Sequence, residues 1–152
     1  MTTTVKRILL AEDSVHDVEL TLSALAEHRL ANEVVVVNDG AEALDYLYRR
    51  GGFAGRPEGH PAVVLLDIKM PKVDGLEVLR QMRADKTLNG IPAVMLTSSR
   101  EERDVIESYN LGVNAYVVKP VEFQEFIVAV GTLGLFWAVL NEPQPGVLRK
   151  AA

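Results

Sequence analysis

The 152-residue sequence predicts an α/β domain, a doubly wound parallel sheet of five strands with helices on both faces. Three observations carry that expectation. Five short apolar runs, residues 7–11, 33–37, 62–66, 91–96 and 115–118, alternate with five segments of helical spacing, 15–27, 41–48, 76–82, 101–110 and 121–140. The runs are apolar at consecutive positions, as in Ala62-Val63-Val64-Leu65-Leu66, which suits strands covered on both faces rather than one. Each run stops at polar or turn residues, and right-handed crossovers between parallel strands deposit the intervening helices on the sheet.

The elements follow in order. Arg7-Ile8-Leu9-Leu10-Ala11 ends in Glu12-Asp13, and the next helix carries Val18, Leu22 and Leu25 on one stripe. Glu33 to Val37 forms the second strand, and Ala43, Leu44 and Leu47 mark the second helix. Residues 51–61 hold four glycines and two prolines and read as a surface loop. The third strand runs into Asp67, and Gly75 opens a helix with Leu76, Leu79 and Met82 inward. The fourth strand runs into Thr97-Ser98. Ser98 and Ser99 then stand as caps ahead of Glu101-Glu102, the next helix carries Val105, Ile106 and Tyr109, and Gly112 suits its C-terminal cap. Ala115-Tyr116-Val117-Val118 leads to Lys119-Pro120 and the last helix. From Asn141, with Pro143, Pro145 and Gly146, a helix cannot continue.

Composition narrows the function. Hydrophobic residues make up 48% of the chain and charged ones 24%, the profile of one globular core. Sixteen Lys and Arg against 21 Asp and Glu leave a net charge of −5, so no basic field exists for sequence-independent nucleic-acid binding. The absence of Cys removes disulfides, thiolate ligands and cysteine nucleophiles together. The basic residues Lys6-Arg7 precede a short strand and not a signal sequence, and the apolar stretch 126–140 is broken by Thr132, Gly131 and Gly134, short of the ~18 residues of a membrane span. A cytoplasmic protein bound to neither membrane nor nucleic acid is the expectation.

Ligands of open parallel sheets collect where the strands end. The residues there are Glu12 and Asp13, Asp67, Thr97 and Ser98, and Lys119. Three carboxylates on one rim repel one another unless a cation or a proton neutralises them, and all-oxygen ligation with open positions suits Mg²⁺. Lys119 adds a compact positive charge and Thr97 a hydroxyl, both suited to phosphoryl oxygens carried by, or passing through, Asp67. That is a phosphotransfer constellation with a carboxylate nucleophile. Singly, Asp13 or Asp67 would be read as a solvated loop carboxylate; the combination is what carries the reading. His16, His28 and His60 are scattered and read as exposed.

Glu12-Asp13, Asp67-Ile68-Lys69-Met70-Pro71, Gly75, Thr97-Ser98 and Lys119-Pro120, in that order and on those elements, resemble the receiver domain of two-component response regulators. The match runs from Arg7 to about Leu140, dividing the chain into a receiver domain over 1–140 and a C-terminal extension over 141–152 that could serve as a dimerisation arm. The resemblance implies a flavodoxin-like fold with strand order 2-1-3-4-5. It makes Asp67 the phosphoacceptor, attacking the phosphohistidine of a sensor histidine kinase to form an aspartyl phosphate. It gives Asp13, Asp67 and the backbone carbonyl of Lys69 to Mg²⁺, with Glu12 acting through a metal-bound water. Thr97 and Lys119 would contact the phosphoryl group, Tyr116 would be the switch aromatic, and Lys119-Pro120 the place of a cis peptide. Ser98, Ser99 and Lys69 stand where the family modulates phosphodonor access and phosphate lifetime.

A finer resemblance, to the single-domain receivers that partner phytochrome-type kinases, rests on the 51–61 insertion, Thr97-Ser98-Ser99 before Glu101-Glu102, the stretch 108–116, and Phe136-Trp137. It implies a signalling protein rather than an enzyme, one that assists its own phosphorylation and dephosphorylation and signals by altered protein contacts, with no output domain expected. A histidine phosphotransfer protein is a further partner it implies. The last helix is apolar on more than one stripe, from Phe123 through Phe136 and Trp137 to Leu140, which predicts a second buried surface. A homodimer through this helix and the tail is the first reading, and a tail folded back within one chain the second. Two other functions fit parts of the pattern. A small Asp-nucleophile phosphohydrolase uses a similar set but places a second Asp two residues after the nucleophile, where this chain has Lys69. A phosphorylation-independent dimeric binding module would leave the acidic cluster without a role. Neither a Walker A loop nor G-x-G-x-x-G occurs.

Overall fold

The computed structural model describes residues 7–26, 33–99, 102, 105–106, 111–113 and 115–132. Phe136, Trp137, the 141–152 extension, most of 101–110 and His28 lie outside the described residues, and with them the expected dimer surface and the domain boundary at 140.

The strands are β1 (Arg7–Ala11), β2 (Glu33–Val37), β3 (Val63–Asp67), β4 (Ala93–Thr97) and β5 (Ala115–Val118). The helices are α1 (Val15–Ala26), α2 (Gly40–Tyr48), α3 (Gly75–Ala84) and α4 (Phe123–Thr132), with a 3₁₀ turn at Gly51–Phe53. Glu102, Val105 and Ile106 are also helical. All strand pairs are parallel, and the order is β2-β1-β3-β4-β5, the one the receiver resemblance implies. The third and fourth strands reach one residue further than the apolar runs, to Asp67 and Thr97 themselves, and the fourth starts at Ala93 and not at Ile91. Pro92 has no N–H to give the ladder; only its carbonyl takes part, accepting from Val64 N–H.

Successive strand residues face opposite sides, which divides the core into two layers. Leu9, Val64, Leu66, Ala93 and Met95 pack with Leu44, Leu47, Val78, Leu79 and Met82 of α2 and α3. Ile8, Leu10, Val63, Leu65, Val94 and Leu96 pack with Leu25 of α1 and Phe126 and Ala129 of α4. Every residue of β3 is buried. Truncating one of these leucines to alanine costs about 2–5 kcal/mol, which is why the apolar runs were readable at all. Among the described residues no helix is long and apolar enough to cross a membrane.

Caps fix the helix starts on the side of the sheet where the strands end. Asp39 and Asp74 accept from the N–H groups of Glu42 and Glu77, both at 2.8 Å. Two glycines allow the chain to close up there. A Cβ on Gly75 would lie 2.3 Å from the Asp67 carbonyl oxygen, and one on Gly40 would lie 1.9 Å from that of Val73. The residues that follow Asp67 are thereby clamped between the starts of α2 and α3. The loop at 51–61, expected to be plain surface, is instead organised around Arg56. Its guanidinium lies 4.2 Å from the Tyr46 ring centroid and donates to the carbonyls of Tyr46, Pro57 and Gly59.

Candidate functional site

Parallel register brings the strand ends side by side. Ala11 pairs with Leu66, Asp67 with Leu96 and Thr97 with Val118, so the residues leaving β1, β3, β4 and β5 share one rim. Glu12 is anchored there by its N–H to the Val37 carbonyl (3.0 Å) and Lys119 by its N–H to the Thr97 carbonyl (2.7 Å). The structure therefore brings together Glu12, Asp13, Asp67, Thr97 and Lys119. One carboxylate oxygen from each of Glu12, Asp13 and Asp67 lies within 4.8 Å of the others, close enough together to hold a hard cation.

Glu12 is fully buried, Asp67 nearly so, and Asp13 exposed. The Lys119 ammonium is shared among Asp17 Oδ2 at 3.0 Å, Asp67 Oδ2 at 3.1 Å and Glu12 Oε2 at 3.2 Å. Burial opposes its charge, but the hydrogen bond to Asp17 and the charges of Asp67 and Glu12 outweigh it and hold the ammonium above the usual lysine range. The Glu12 carboxyl is pushed up to about 7, first by burial and then by the adjacent Asp67 carboxylate; the Ser14 N–H at 3.1 Å and Lys119 pull it the other way. A single lysine does not neutralise this many acids, and burial beside Asp67 disfavours the charged form of Glu12.

Thr97 Oγ1 is buried and has no hydrogen-bond partner among the described residues. A buried hydroxyl without a partner is a cost of about 1–3 kcal/mol, tolerated where a further group is to be bound. Tyr116 is half-buried on β5 against the core layer of α2 and α3. The Lys119–Pro120 peptide is cis. His16 and His60 are exposed.

The mouth of the site, a cavity of about 220 Å³, is lined by Glu12, Asp13, Ser14, Asp17, Asp67, Lys69, Ser98, Glu102 and Lys119. Ser98 and Ser99 are exposed there and carry the expected cap: Ser99 Oγ accepts from Glu102 N–H (3.2 Å), while the Glu102 carboxylate accepts from the N–H (3.0 Å) and hydroxyl (2.9 Å) of Ser98. The Lys69 side chain is 83% exposed and reaches toward Glu102 at 3.9 Å. A lysine there offers no carboxyl acid/base beside Asp67.

Asp17 was not singled out from the sequence. It sits on the first turn of α1, four residues beyond Asp13, and that spacing was the available signal: one helical turn brings it back to the rim. Glu102, marked only as part of a capping run, also borders the mouth.

The model of the response regulator receiver domain matches residues 8–131. Among curated proteins, response regulator Rcp1 of Synechocystis sp. is 37% identical over 132 residues, 87% of this chain and 88% of that protein. A solved structure of Rcp1 in its Mn²⁺-bound form superposes with a TM-score of 0.69 at 35% identity, covering 96% of this chain and 99% of that one. The bacteriophytochrome response regulator RtBRR is 64% identical, with a TM-score of 0.86 over 94% of this chain and 86% of that one. The phosphorylated cyanobacterial phytochrome response regulator RcpA is 39% identical, with a TM-score of 0.72 over 94% of this chain and all of its own. A parallel sheet in the order 2-1-3-4-5, an acidic cluster at its strand ends and these relatives lead to one conclusion: the chain belongs to the response regulator receiver domain family.

Proposed function

We propose that Asp67 is the phosphoacceptor, taking a phosphoryl group from the phosphohistidine of a sensor histidine kinase of the phytochrome type. The observation that carries this reading is the pairing around Asp67 of a lysine ammonium at 3.1 Å with a buried Thr97 hydroxyl that lacks a partner. The Thr97 hydroxyl is a donor without an acceptor among the described residues, and the Lys119 ammonium already lies against Asp67; a phosphoryl group on Asp67 brings oxygens to both. A carboxylate oxygen of Asp67 attacks phosphorus, the P–N bond breaks, and its electron pair stays on the imidazole of the donor. Lys119 neutralises charge on the phosphoryl oxygens, and the Thr97 hydroxyl donates to one of them.

Mg²⁺ fits the donors present. Asp13 and Asp67, with the backbone carbonyl of Lys69, would hold it, Glu12 would act through its water, and the cation would supply charge neutralisation for the transferring group. The Mn²⁺-bound form of Rcp1 supports a hard divalent ion in a related chain. Ser98, Ser99 and Lys69 at the mouth then govern donor access and phosphate lifetime. When Thr97 engages the phosphoryl group it leaves its unpartnered position, and Tyr116, on the adjoining strand, changes its packing; the output is an altered surface. A cytoplasmic location, a homodimer formed by the last helix with Phe136, Trp137 and the 141–152 extension, and relay to a histidine phosphotransfer protein complete the proposal.

The test is intact-protein mass after brief incubation with Mg²⁺ and acetyl phosphate, beside Asp67→Asn and a chelated control. A single base-labile phosphoryl adduct, absent from both controls, is the expected result. Donor consumption without an adduct would instead favour a phosphohydrolase.

A further inference from the structure

We propose that Asp17 is a positioning residue for Lys119, holding its ammonium beside Asp67 while a divalent cation occupies the neighbouring acids. The inference rests on the phosphoacceptor reading above and adds a residue to it.

An ammonium has three N–H donors, and in this structure all three have carboxylate partners, on three different elements: Glu12 after β1, Asp17 on α1 and Asp67 on β3. The partners are not equivalent. Glu12 and Asp67 belong to the acidic triad whose oxygens lie within 4.8 Å of one another, and Asp17 does not. A divalent cation in the triad competes for the lone pairs of Glu12 and Asp67 and repels the ammonium, so two of the three bonds weaken when the site is loaded. A lysine stem is flexible and its head strongly hydrated; released by two partners, it swings into water. The third bond, at 3.0 Å the shortest, is the one the cation leaves intact.

Asp17 is itself well placed for that task. Its N–H donates to Ser14 Oγ at 3.3 Å, and the first turn of a helix favours an acid. The side chains of Asp17 and Lys119 are 28% and 19% exposed, so the pair is partly shielded from water. A plain helix-dipole role for Asp17 would be indifferent to Lys119, and that difference is what an experiment can read.

The rate of adduct formation is measured in the full chain with acetyl phosphate at saturating Mg²⁺. Asp17→Ala is expected to slow it about tenfold, less than the about 10²-fold that a full 1 Å misplacement can cost, with the Mg²⁺ concentration for half-maximal rate held within about twofold. Asp17→Asn, which keeps an oxygen acceptor and the fold but loses the charge, falls between. In a Lys119→Ala background Asp17→Ala changes nothing further, because the group it positions is gone. A wild-type rate in both single variants, an equal loss in the two backgrounds, or a shift confined to Mg²⁺ half-saturation would each overturn the proposal. Absence of any adduct on the wild-type protein would overturn the phosphoacceptor reading, and this inference with it.

Discussion

Where the strands begin, arginines bind the crossovers shut; where they finish, acids share one lysine and a hydroxyl goes without a partner. At the first end, Arg56 gathers the carbonyls of Tyr46, Pro57 and Gly59, Arg49 donates to the Arg56 carbonyl, and Arg83 ties Ile91 to Gly112 ahead of β4 and β5. At the other end, burial and the adjacent Asp67 raise the Glu12 carboxyl to about 7, and Thr97 Oγ1 lies buried with no hydrogen-bond partner among the described residues. The same parallel sheet holds both, and among the described residues the one buried side-chain polar atom without a partner lies where the strands finish. The comparison teaches that unmet polar demand, more than the mere presence of acids, marks the working end of the sheet.

Four substitutions or conditions sharpen that contrast, the largest first. Asp67→Asn is expected to abolish the phosphoryl adduct altogether while the protein still unfolds cooperatively, which mass spectrometry and a thermal melt together check. Gly75→Ala comes next, because its new Cβ meets the Asp67 carbonyl at 2.3 Å. Overpacking of this kind costs about 1–3 kcal/mol; the phosphorylation rate is expected to fall with stability, since the clamp carries Asp67. Arg56→Ala should lose about 1–2 kcal/mol through its carbonyl bonds and its stacking on Tyr46. Denaturant melts measure that loss, and an unchanged phosphorylation rate keeps the two ends separate. Were Arg56→Ala to slow phosphorylation as strongly as Gly75→Ala, the division of labour would be broken.

The smallest effect is a pH dependence. Glu12 is raised from 4.5 to about 7 in the folded protein, so between those values the native state binds a proton that the unfolded chain releases. Its contribution to the stability of the metal-free protein is fully present below about pH 4.5 and is lost as pH rises through about 7. Melting temperatures of the metal-free protein between about pH 5 and about pH 8 are expected to decline, and Glu12→Gln to flatten the decline. If a divalent cation displaces the same proton, Mg²⁺ affinity is expected to rise over that window, which calorimetric titration at its two ends checks.

What the sequence disclosed and what it concealed divide along the same physical line. Strands buried on both faces must be continuously apolar, so the acids that interrupt them at Glu12 and Asp67 stand out without any structure. Thr97 and Lys119 follow apolar runs in the same way, and the cis bond before Pro120 is open only to proline. Asp17 was hidden because its partner lies 102 residues along the chain and a helical Asp looks like an ordinary first-turn acid. Arg56 was hidden because its partners are backbone carbonyls, which have no sequence signature. The loop's glycines and prolines were visible, the hub that orders them was not.

The account turns on which atom takes the phosphoryl group. Borohydride reduction of the protein after incubation with Mg²⁺ and acetyl phosphate, followed by peptide mass mapping, converts an aspartyl phosphate to homoserine and so marks its position. The expected result is homoserine at residue 67 and at no other acid of the rim. Homoserine at position 13 or 17, or a phosphorylated protein with Asp67 intact, would contradict it.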